Sequence, residues 1–231
     1  MISLTAVSRI YQSTDVAGQG VIALDQVDLR IERGEFVAIT GPSGCGKSTL
    51  MHLIGGLDTP TSGELIVDGL ALHAAGEKEL TAYRRHRLGV VFQFFNLLPT
   101  MTVRENVTLP LMLQGVRAAE AGERAEEKIA LVGMGHRAGH FPHQLSGGEM
   151  QRTAIARALV HGPSVLLADE PTGNLDSANT RQVLDILREI HGRGLATLLV
   201  VTHSEEVAEI APRRISMRDG RVESDRRSNE V

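Results

Sequence analysis

Short apolar runs alternate along the chain with longer stretches in which apolar residues recur every three or four positions. Runs of about four to eight apolar residues are typical of buried strands, and the longer period is typical of helices that pack on them. This alternation predicts an α/β fold with a largely parallel sheet. The predicted strands are 35–40, 164–168 and 195–201, with shorter ones at 4–10, 27–31, 64–67 and 88–92.

The stretch 94–162 has a different character, because helical periodicity there replaces the short apolar runs. Helices are predicted at 103–115 and 118–132. We therefore expect a single domain, 1–231, in which a helical subdomain at 94–162 is inserted into a core formed by 1–93 and 163–231. A further helix is predicted at 177–191, between two buried strands, and the Asp219-Gly220 pair predicts a hairpin near the end of the chain.

Composition excludes several classes of protein. The net charge of −4 gives no general attraction to nucleic acid, and with 3% aromatic residues and no tryptophan the chain offers few platforms for stacking bases. The basic cluster from Tyr83 to Arg87 is short enough to be a solvated helix face. A single cysteine, Cys45, excludes an intrachain disulfide and a cysteine-rich zinc site. We expect no nucleic-acid partner.

Hydropathy predicts a cytosolic polypeptide. The apolar stretches, such as 36–39 and 195–201, are far shorter than the roughly 18 residues of a membrane-spanning helix. Residues 1–9 also lack the basic start and long apolar run of a secretory signal.

A glycine-rich loop follows the predicted strand 35–40 and leads into a helix that begins at Lys47 and ends at Gly55 and Gly56. Its sequence matches the phosphate-loop pattern GxxxxGK[ST], and strand, loop and helix stand in the order that phosphate binding requires. Glycines allow successive backbone N–H groups to point inward, and the helix N-terminus adds partial positive charge. The predicted ATP-binding residues are Gly41, Pro42, Ser43, Gly44, Cys45, Gly46, Lys47, Ser48 and Thr49.

Two side chains of this loop have predicted chemical roles. Lys47 reaches the β- and γ-phosphates, and Ser48 supplies a hydroxyl to Mg²⁺, which takes few protein ligands. Cys45 is interpreted as a small loop residue whose backbone matters. The alternative for the whole segment is an ordinary glycine turn with a lysine in solvent.

Two adjacent carboxylates follow the predicted strand 164–168. Asp169 fits a carboxylate that orients the metal, and Glu170 is a candidate general base for the water that attacks the γ-phosphate. The alternative is a solvated strand end with no chemical role.

The stretch Leu145, Ser146, Gly147, Gly148, Glu149, followed by Gln151 and Arg152, resembles the signature motif of ABC ATPases. The same residues form a capping box that starts a helix, with Ser146 as the N-cap and Glu149 reaching back to it. In the family this helix end faces the γ-phosphate that the other protomer holds, so the resemblance assigns Ser146, Gly147 and Gly148 to nucleotide binding.

The resemblance covers almost the whole chain and implies further roles. It implies a P-loop NTPase fold with a RecA-like core, a mostly parallel sheet, an antiparallel β subdomain and the inserted helical subdomain. Gln93 matches the glutamine that contacts metal and attacking water, and His203 matches the switch histidine at the γ-phosphate. Asp176, with Asn174 and Leu175, matches the loop at the dimer interface, and Tyr11 resembles the aromatic residue that stacks on adenine.

A closer resemblance is to the lipoprotein-release and macrolide-export ATPases, the LolD/MacB-like subfamily. It rests on the stretches 55–58, 60–63, 95–99 and 171–176 together with Glu105 and Asn106. The chain departs from the pattern at Ser204, where aspartate often follows the switch histidine, and at Phe141, where tyrosine is common. The sequence therefore does not determine the local structure around His203 or that of the segment just before the signature motif.

The resemblance implies an ATPase that uses ATP and Mg²⁺, acts as a homodimer with ATP at the interface, and powers a separate membrane permease from the inner face of the cell membrane. The apolar loop 92–101 is the candidate docking surface for the permease, with burial inside the helical subdomain as the alternative. An FtsE-like ATPase of a cell-envelope or cell-division complex is the second reading. A DNA-repair ABC ATPase is excluded, because too few residues separate Gln93 from Leu145 for a coiled-coil arm.

Overall fold

The chain folds into two compact units, which a computed structural model describes over residues 1–12 and 20–228. One unit comprises Met1–Arg84 and Leu199–Val231, and the other Arg85–Leu198. In chain order the strands and helices are β1 (Ile2–Tyr11), β2 (Val21–Ile31), β3 (Phe36–Thr40), α1 (Lys47–Ile54), β4 (Ser62–Val67), β5 (Leu70–Ala71), α2 (Glu77–His86), β6 (Leu88–Val91), α3 (Val103–Leu113), α4 (Ala118–Leu131), α5 (Gly147–Leu159), β7 (Val165–Asp169), α6 (Ser177–Gly192), β8 (Thr197–Val201), α7 (Glu205–Ile210), β9 (Arg213–Arg218) and β10 (Arg221–Arg227).

The first unit contains an antiparallel sheet in the order β2-β1-β4-β5. Ile2 on β1 lies opposite Ile31 on β2 and Val67 on β4. All three side chains are completely buried, so the register places one apolar face of the sheet in the core.

In the same unit β3 pairs in parallel with β9, and β9 continues into an antiparallel hairpin with β10. All five residues of β3 are buried, as expected for a parallel strand that is covered on both faces. The helix α1 follows directly and buries Leu50, Leu53 and Ile54. This arrangement holds the loop between β3 and α1 on a rigid base.

The second unit is built around α5. The strands β6 and β7 pair in parallel, with Val90 opposite Leu167, and α5 packs on β6. The helices α3, α4 and α6 also pack against α5. Its buried face is rich in alanine, including Ala154, Ala156 and Ala158, so neighbouring backbones can approach closely.

Most of the secondary structure predicted from the pattern is confirmed. The predicted strands differ from the observed ones by one or two residues at most ends, although β2 begins six residues earlier than predicted, at Val21 rather than at position 27. The hairpin at Asp219 and Gly220 is confirmed, and both residues have the positive φ angles that such a turn requires.

The interpretation of Tyr83 to Arg87 as a solvated helix face was wrong in part. Residues 83–86 end α2, a helix that the pattern did not predict, and Tyr83 is only 2% exposed. Its hydroxyl donates a hydrogen bond to the Ile54 carbonyl at 2.8 Å, and Arg84 donates one to the Gly56 carbonyl. Tyr83 and Arg84 therefore anchor α2 to the end of α1, while residues 85–87 are exposed as predicted.

The predicted subdomain limits at 93/94 and 162/163 stay a prediction. These limits mark where the helical periodicity begins and ends in the sequence. The two compact units divide elsewhere, between residues 84 and 85 and between residues 198 and 199, and the latter division falls inside β8. Among the described residues, no helix is long and apolar enough to cross a bilayer.

Candidate functional site

The loop from Gly41 to Gly46 joins β3 to α1 in the first unit. Gly46 is the N-cap of α1 with φ of 102°, and as a glycine it has no side chain to cap this end of the helix. The first helical turn includes Lys47, Ser48 and Thr49. Its backbone N–H groups therefore point toward the loop and are not bonded to an N-cap side chain. Such a helix start favours an anion.

Glycine is required at both ends of this loop. A Cβ on Gly46 would lie 2.4 Å from the Ala23 carbonyl oxygen, and one on Gly41 would lie 2.2 Å from the Met217 carbonyl oxygen. Both residues also have positive φ angles. The strands β2 and β9 thus press against the loop and determine its shape, a constraint that the local sequence pattern did not reveal.

The ammonium group of Lys47 folds back onto the loop. It donates hydrogen bonds to the carbonyls of Gly41 at 2.8 Å and Pro42 at 2.9 Å. Cys45 is buried beneath it, with Sγ 3.8 Å from the lysine Nζ. Positive charge, helix N-terminus and tight glycine backbone converge here, so the segment fits a phosphate group.

The β9–β10 hairpin supports the loop from the side. The N–H of Gly220 donates to the Cys45 carbonyl at 3.2 Å, and the N–H of Asp25 donates to the Gly220 carbonyl at 2.9 Å. The sequence predicted the hairpin but not this contact, since the two segments lie far apart in the chain.

Tyr11 and His203 belong to the same unit as the loop. Tyr11 ends β1 with 37% of its surface exposed, and its hydroxyl donates to Asp58 Oδ2 at 2.9 Å. His203 is exposed and follows Thr202, whose N–H donates to the Ile39 carbonyl at 3.1 Å. Ile39 precedes the loop by two residues, so β3 places the backbone at His203 beside the start of the loop.

In the second unit, Asp169 ends β7 and Glu170 follows it directly. Asp169 is half-buried, and Glu170 has φ of 45°, in the left-handed region that residues other than glycine rarely adopt. A backbone of this kind costs of order 1–3 kcal/mol and occurs most often at functional sites. The strained turn supports a chemical role for Glu170 over a solvated strand end.

Gln93 and Glu170 both lie close to Gly173. A Cβ built on Gly173 would be 3.3 Å from Gln93 Nε2 and 3.5 Å from Glu170 Cβ, so both side chains flank Gly173. Asn174 Nδ2 donates to the Gln93 carbonyl at 3.2 Å. The structure thus brings together Gln93, Glu170 and the start of the segment that leads to Asp176.

In the loop that follows Gln93, hydrogen bonds hold the backbone in place, while some side chains are exposed. Arg157 donates to the carbonyls of Phe95 at 2.9 Å and Asn96 at 2.6 Å. The buried amide of Asn106 donates to the Leu98 carbonyl and accepts from the Leu98 N–H at 2.8 Å. Phe94 is nevertheless 73% exposed, so the alternative that this loop is buried does not hold for Phe94.

The predicted capping box at the start of α5 is confirmed. Ser146 Oγ accepts from the Glu149 N–H at 3.3 Å, and Glu149 Oε2 accepts from the Ser146 N–H at 2.8 Å. That N–H, more than the ion pair with Arg137, holds the pKa of Glu149 below its usual value. The glycines Gly147 and Gly148 occupy the first turn of the helix.

Glu149 gives a testable pH dependence. Its pKa is lower in the folded chain than the ordinary 4.5, so the ionised carboxylate stabilises the fold at neutral pH, and this contribution is lost as pH falls through the folded value. Urea denaturation should show Glu149→Gln less stable than the wild type at neutral pH, with the difference shrinking below 4.5. A difference that stays constant with pH would contradict this prediction.

Asp176 caps α6. Its carboxylate accepts from the Asn179 N–H at 2.8 Å and from Asn179 Nδ2, and these bonds lower the pKa of Asp176. Asn179 also packs over the signature segment, where a Cβ on Gly148 would lie 1.8 Å from Asn179 Oδ1. Sequence reasoning missed Asn179, which connects the cap of α6 to the start of α5.

The predicted metal ligands come from both units, Ser48 from the first and Gln93 and Asp169 from the second. A hydroxyl, an amide and a carboxylate provide the hard oxygen donors that Mg²⁺ prefers. Within residues 1–12 and 20–228, no group of three or more His, Cys, Asp or Glu side chains forms a metal cluster.

Comparison with known proteins identifies the family. The family model described as ABC transporter matches residues 24–173. The chain is 45% identical over 222 residues to an uncharacterized ABC transporter ATP-binding protein of Methanocaldococcus jannaschii, covering 96% of this chain and 97% of that one. It is 43% identical to the lipoprotein-releasing system ATP-binding protein LolD of Bacteroides thetaiotaomicron, covering 97% of this chain and all of LolD.

The chain is also 45% identical to the macrolide export ATP-binding/permease protein MacB of Brucella melitensis, but it covers only 35% of MacB. Among solved structures, a dimeric post-hydrolysis state of the ATP-binding cassette MJ0796 bound to ADP and Pi is 40% identical, with a TM-score of 0.90 and full coverage of both chains. The predicted P-loop fold is thereby confirmed.

Proposed function

Since the chain belongs to the family of ABC transporter ATP-binding proteins, we propose that it binds Mg-ATP and hydrolyses it to drive a separate membrane permease. The observation that carries this proposal is the loop from Gly41 to Gly46, in which Lys47 Nζ and the uncapped start of α1 converge. Cations and helix N-terminal N–H groups arranged in this way bind phosphate oxygens.

Lys47→Ala tests the nucleotide site. Hydrogen bonds to charged groups contribute about 1.5–3 kcal/mol, so ATP affinity should fall about 10- to 100-fold. The measurement is calorimetric titration with Mg-ATP. Lys78→Ala, which removes an exposed lysine from α2, is the matched control and should bind as the wild type does. If the two variants bound Mg-ATP with equal affinity, Lys47 would make no contribution to nucleotide binding.

Two copies are required in the proposed reaction. In each copy Gly41 to Thr49 hold one ATP, and Ser146 to Gly148 of the second copy cover its γ-phosphate, with Asp176 at the same interface. The support is the capped start of α5, where Ser146 is exposed and Gly147 is partly exposed, together with the dimeric state of the MJ0796 cassette in two solved structures. Phosphoryl transfer needs mainly positioning and charge stabilisation, and this arrangement supplies both.

The remaining site residues act around the γ-phosphate. Ser48, Gln93 and Asp169 would hold Mg²⁺, which supplies charge neutralisation when bound. Glu170 accepts a proton from the attacking water, Gln93 positions that water, and His203 contacts the γ-phosphate. Tyr11 offers its exposed ring to the adenine. The proximity of Gln93 to Glu170 across Gly173 supports this division of roles.

The permease docks on the loop 92–101, in this proposal. Phe94 and Leu98 expose apolar surface there, while Arg157 and Asn106 hold the backbone behind them. The chain then works at the inner face of the cell membrane. The cargo in this proposal is a lipoprotein, a peptide or a hydrophobic compound, and the names of two relatives, a lipoprotein-releasing protein and a macrolide exporter, support the first and the third.

A further inference from the structure

Asp58 follows α1 and binds the end of β1. Its Oδ2 accepts the hydroxyl of Tyr11 at 2.9 Å, and its Oδ1 accepts Arg9 Nη2 at 2.8 Å and the N–H of Thr59 at 2.8 Å. The side chains of Asp58 and Arg9 are 21% and 23% exposed. The half-buried carboxylate therefore accepts hydrogen bonds from three donors, the Tyr11 hydroxyl, the Arg9 guanidinium and the Thr59 N–H.

Arg9 adds a second constraint on the Tyr11 ring. Its guanidinium lies over the ring, with Cζ 4.7 Å from the ring centroid, which is the geometry of a cation–π contact. One ring face is thus covered by a cation while the hydroxyl is held at the ring edge. Tyr11 keeps 37% of its surface exposed, which leaves part of the residue available to a planar ligand.

The position of Asp58 is itself held by α1. The N–H groups of Leu57 and Asp58 both donate to the His52 carbonyl, at 2.9 and 3.3 Å. The other end of α1 begins at Lys47, next to the phosphate loop. A helix of eight residues is about 12 Å long, so α1 separates the loop from the Asp58 anchor by a constant distance.

We infer that Asp58 is a positioning residue that holds Tyr11 ready to stack on the purine ring of ATP. This inference rests on the proposed function, in which the triphosphate occupies Gly41 to Thr49. Asp58 itself touches no part of the nucleotide. It immobilises the tyrosine before the ligand arrives, so less side-chain freedom is lost on binding.

Asp58→Ala is expected to weaken Mg-ATP binding about three- to tenfold, the cost of ordering one side chain. Binding of inorganic tripolyphosphate should be unchanged, because that ligand carries no purine. Asp58→Asn retains an acceptor for the Tyr11 hydroxyl and should recover part of the ATP affinity. Asp185→Ala, which removes an exposed Asp–Arg pair on α6, is the matched control for both ligands.

Tyrosine fluorescence provides a direct readout. The chain has no tryptophan and two tyrosines, and Tyr83 is buried, so Tyr11 reports on the ligand. The fluorescence change on ATP binding should be reduced in Asp58→Ala and absent in Tyr11→Leu. Adding Asp58→Ala to Tyr11→Leu should cause no further loss of ATP affinity, because the two residues act as one unit.

Unchanged ATP affinity in Asp58→Ala, or an equal loss for ATP and tripolyphosphate, would overturn the inference and leave the proposed function standing. The same holds if the losses from Asp58→Ala and Tyr11→Leu simply add. A wild-type protein that binds neither ligand would overturn both.

Discussion

Replacing Glu170 with glutamine is expected to slow ATP hydrolysis by about 10²- to 10⁴-fold, the usual contribution of a general base, while ATP binding is retained. Glutamine has the same shape as glutamate but does not accept a proton at neutral pH. Glu170 follows β7 in a left-handed backbone conformation and flanks Gly173 together with Gln93. The substitution therefore removes the base at this position without removing side-chain volume.

Two measurements check this result. Phosphate release gives the turnover rate, and light scattering of the ATP-treated variant should show a stable dimer, since ATP is no longer consumed at the interface. Glu189→Gln, which removes one charge from the partly exposed Glu189–Arg193 pair at the end of α6, should hydrolyse ATP at the wild-type rate. Turnover of Glu170→Gln within a few-fold of the wild type would show that another group takes the proton. A variant that stayed monomeric with ATP, even with the permease's docking element present, would argue against the shared site.

Gly46→Ala is expected to abolish most ATP binding and to lower the free energy of unfolding. The φ of 102° alone costs an alanine about 1–3 kcal/mol, and its Cβ would lie 2.4 Å from the Ala23 carbonyl oxygen. The backbone must shift to relieve this clash. Displacing even one N–H from a phosphate oxygen reduces affinity about 10- to 100-fold.

Gly34→Ala is the matched control for this second prediction. Gly34 also has a positive φ, of 80°, but apart from its chain neighbours no atom of the described residues lies within 4 Å of the added Cβ. It should lose about 1–2 kcal/mol of stability and bind ATP normally. Urea denaturation and calorimetric titration give the two quantities. If Gly46→Ala bound ATP as tightly as Gly34→Ala, the shape of the loop would not depend on contact with β2.

Local sequence patterns predicted the elements that depend on neighbouring residues. The buried run of β3, the glycine loop and the start of α1 are adjacent in the chain, and the capping box between Ser146 and Glu149 spans one helical turn. In such cases the interacting groups are a few residues apart, so spacing alone specifies the contact. The helix α2 escaped prediction because its stability depends on burying Tyr83 against the end of α1.

The sequence by itself determined the α/β class, the phosphate loop, the carboxylate pair and the signature helix start. Only the tertiary structure decided that Met217 and Ala23 shape the phosphate loop, that Asn179 packs over Gly148 and that Asp58 holds Tyr11. The physical reason is distance along the chain. Each of these contacts joins residues that are brought together by sheet register and helix packing, which the periodicity of one segment does not encode.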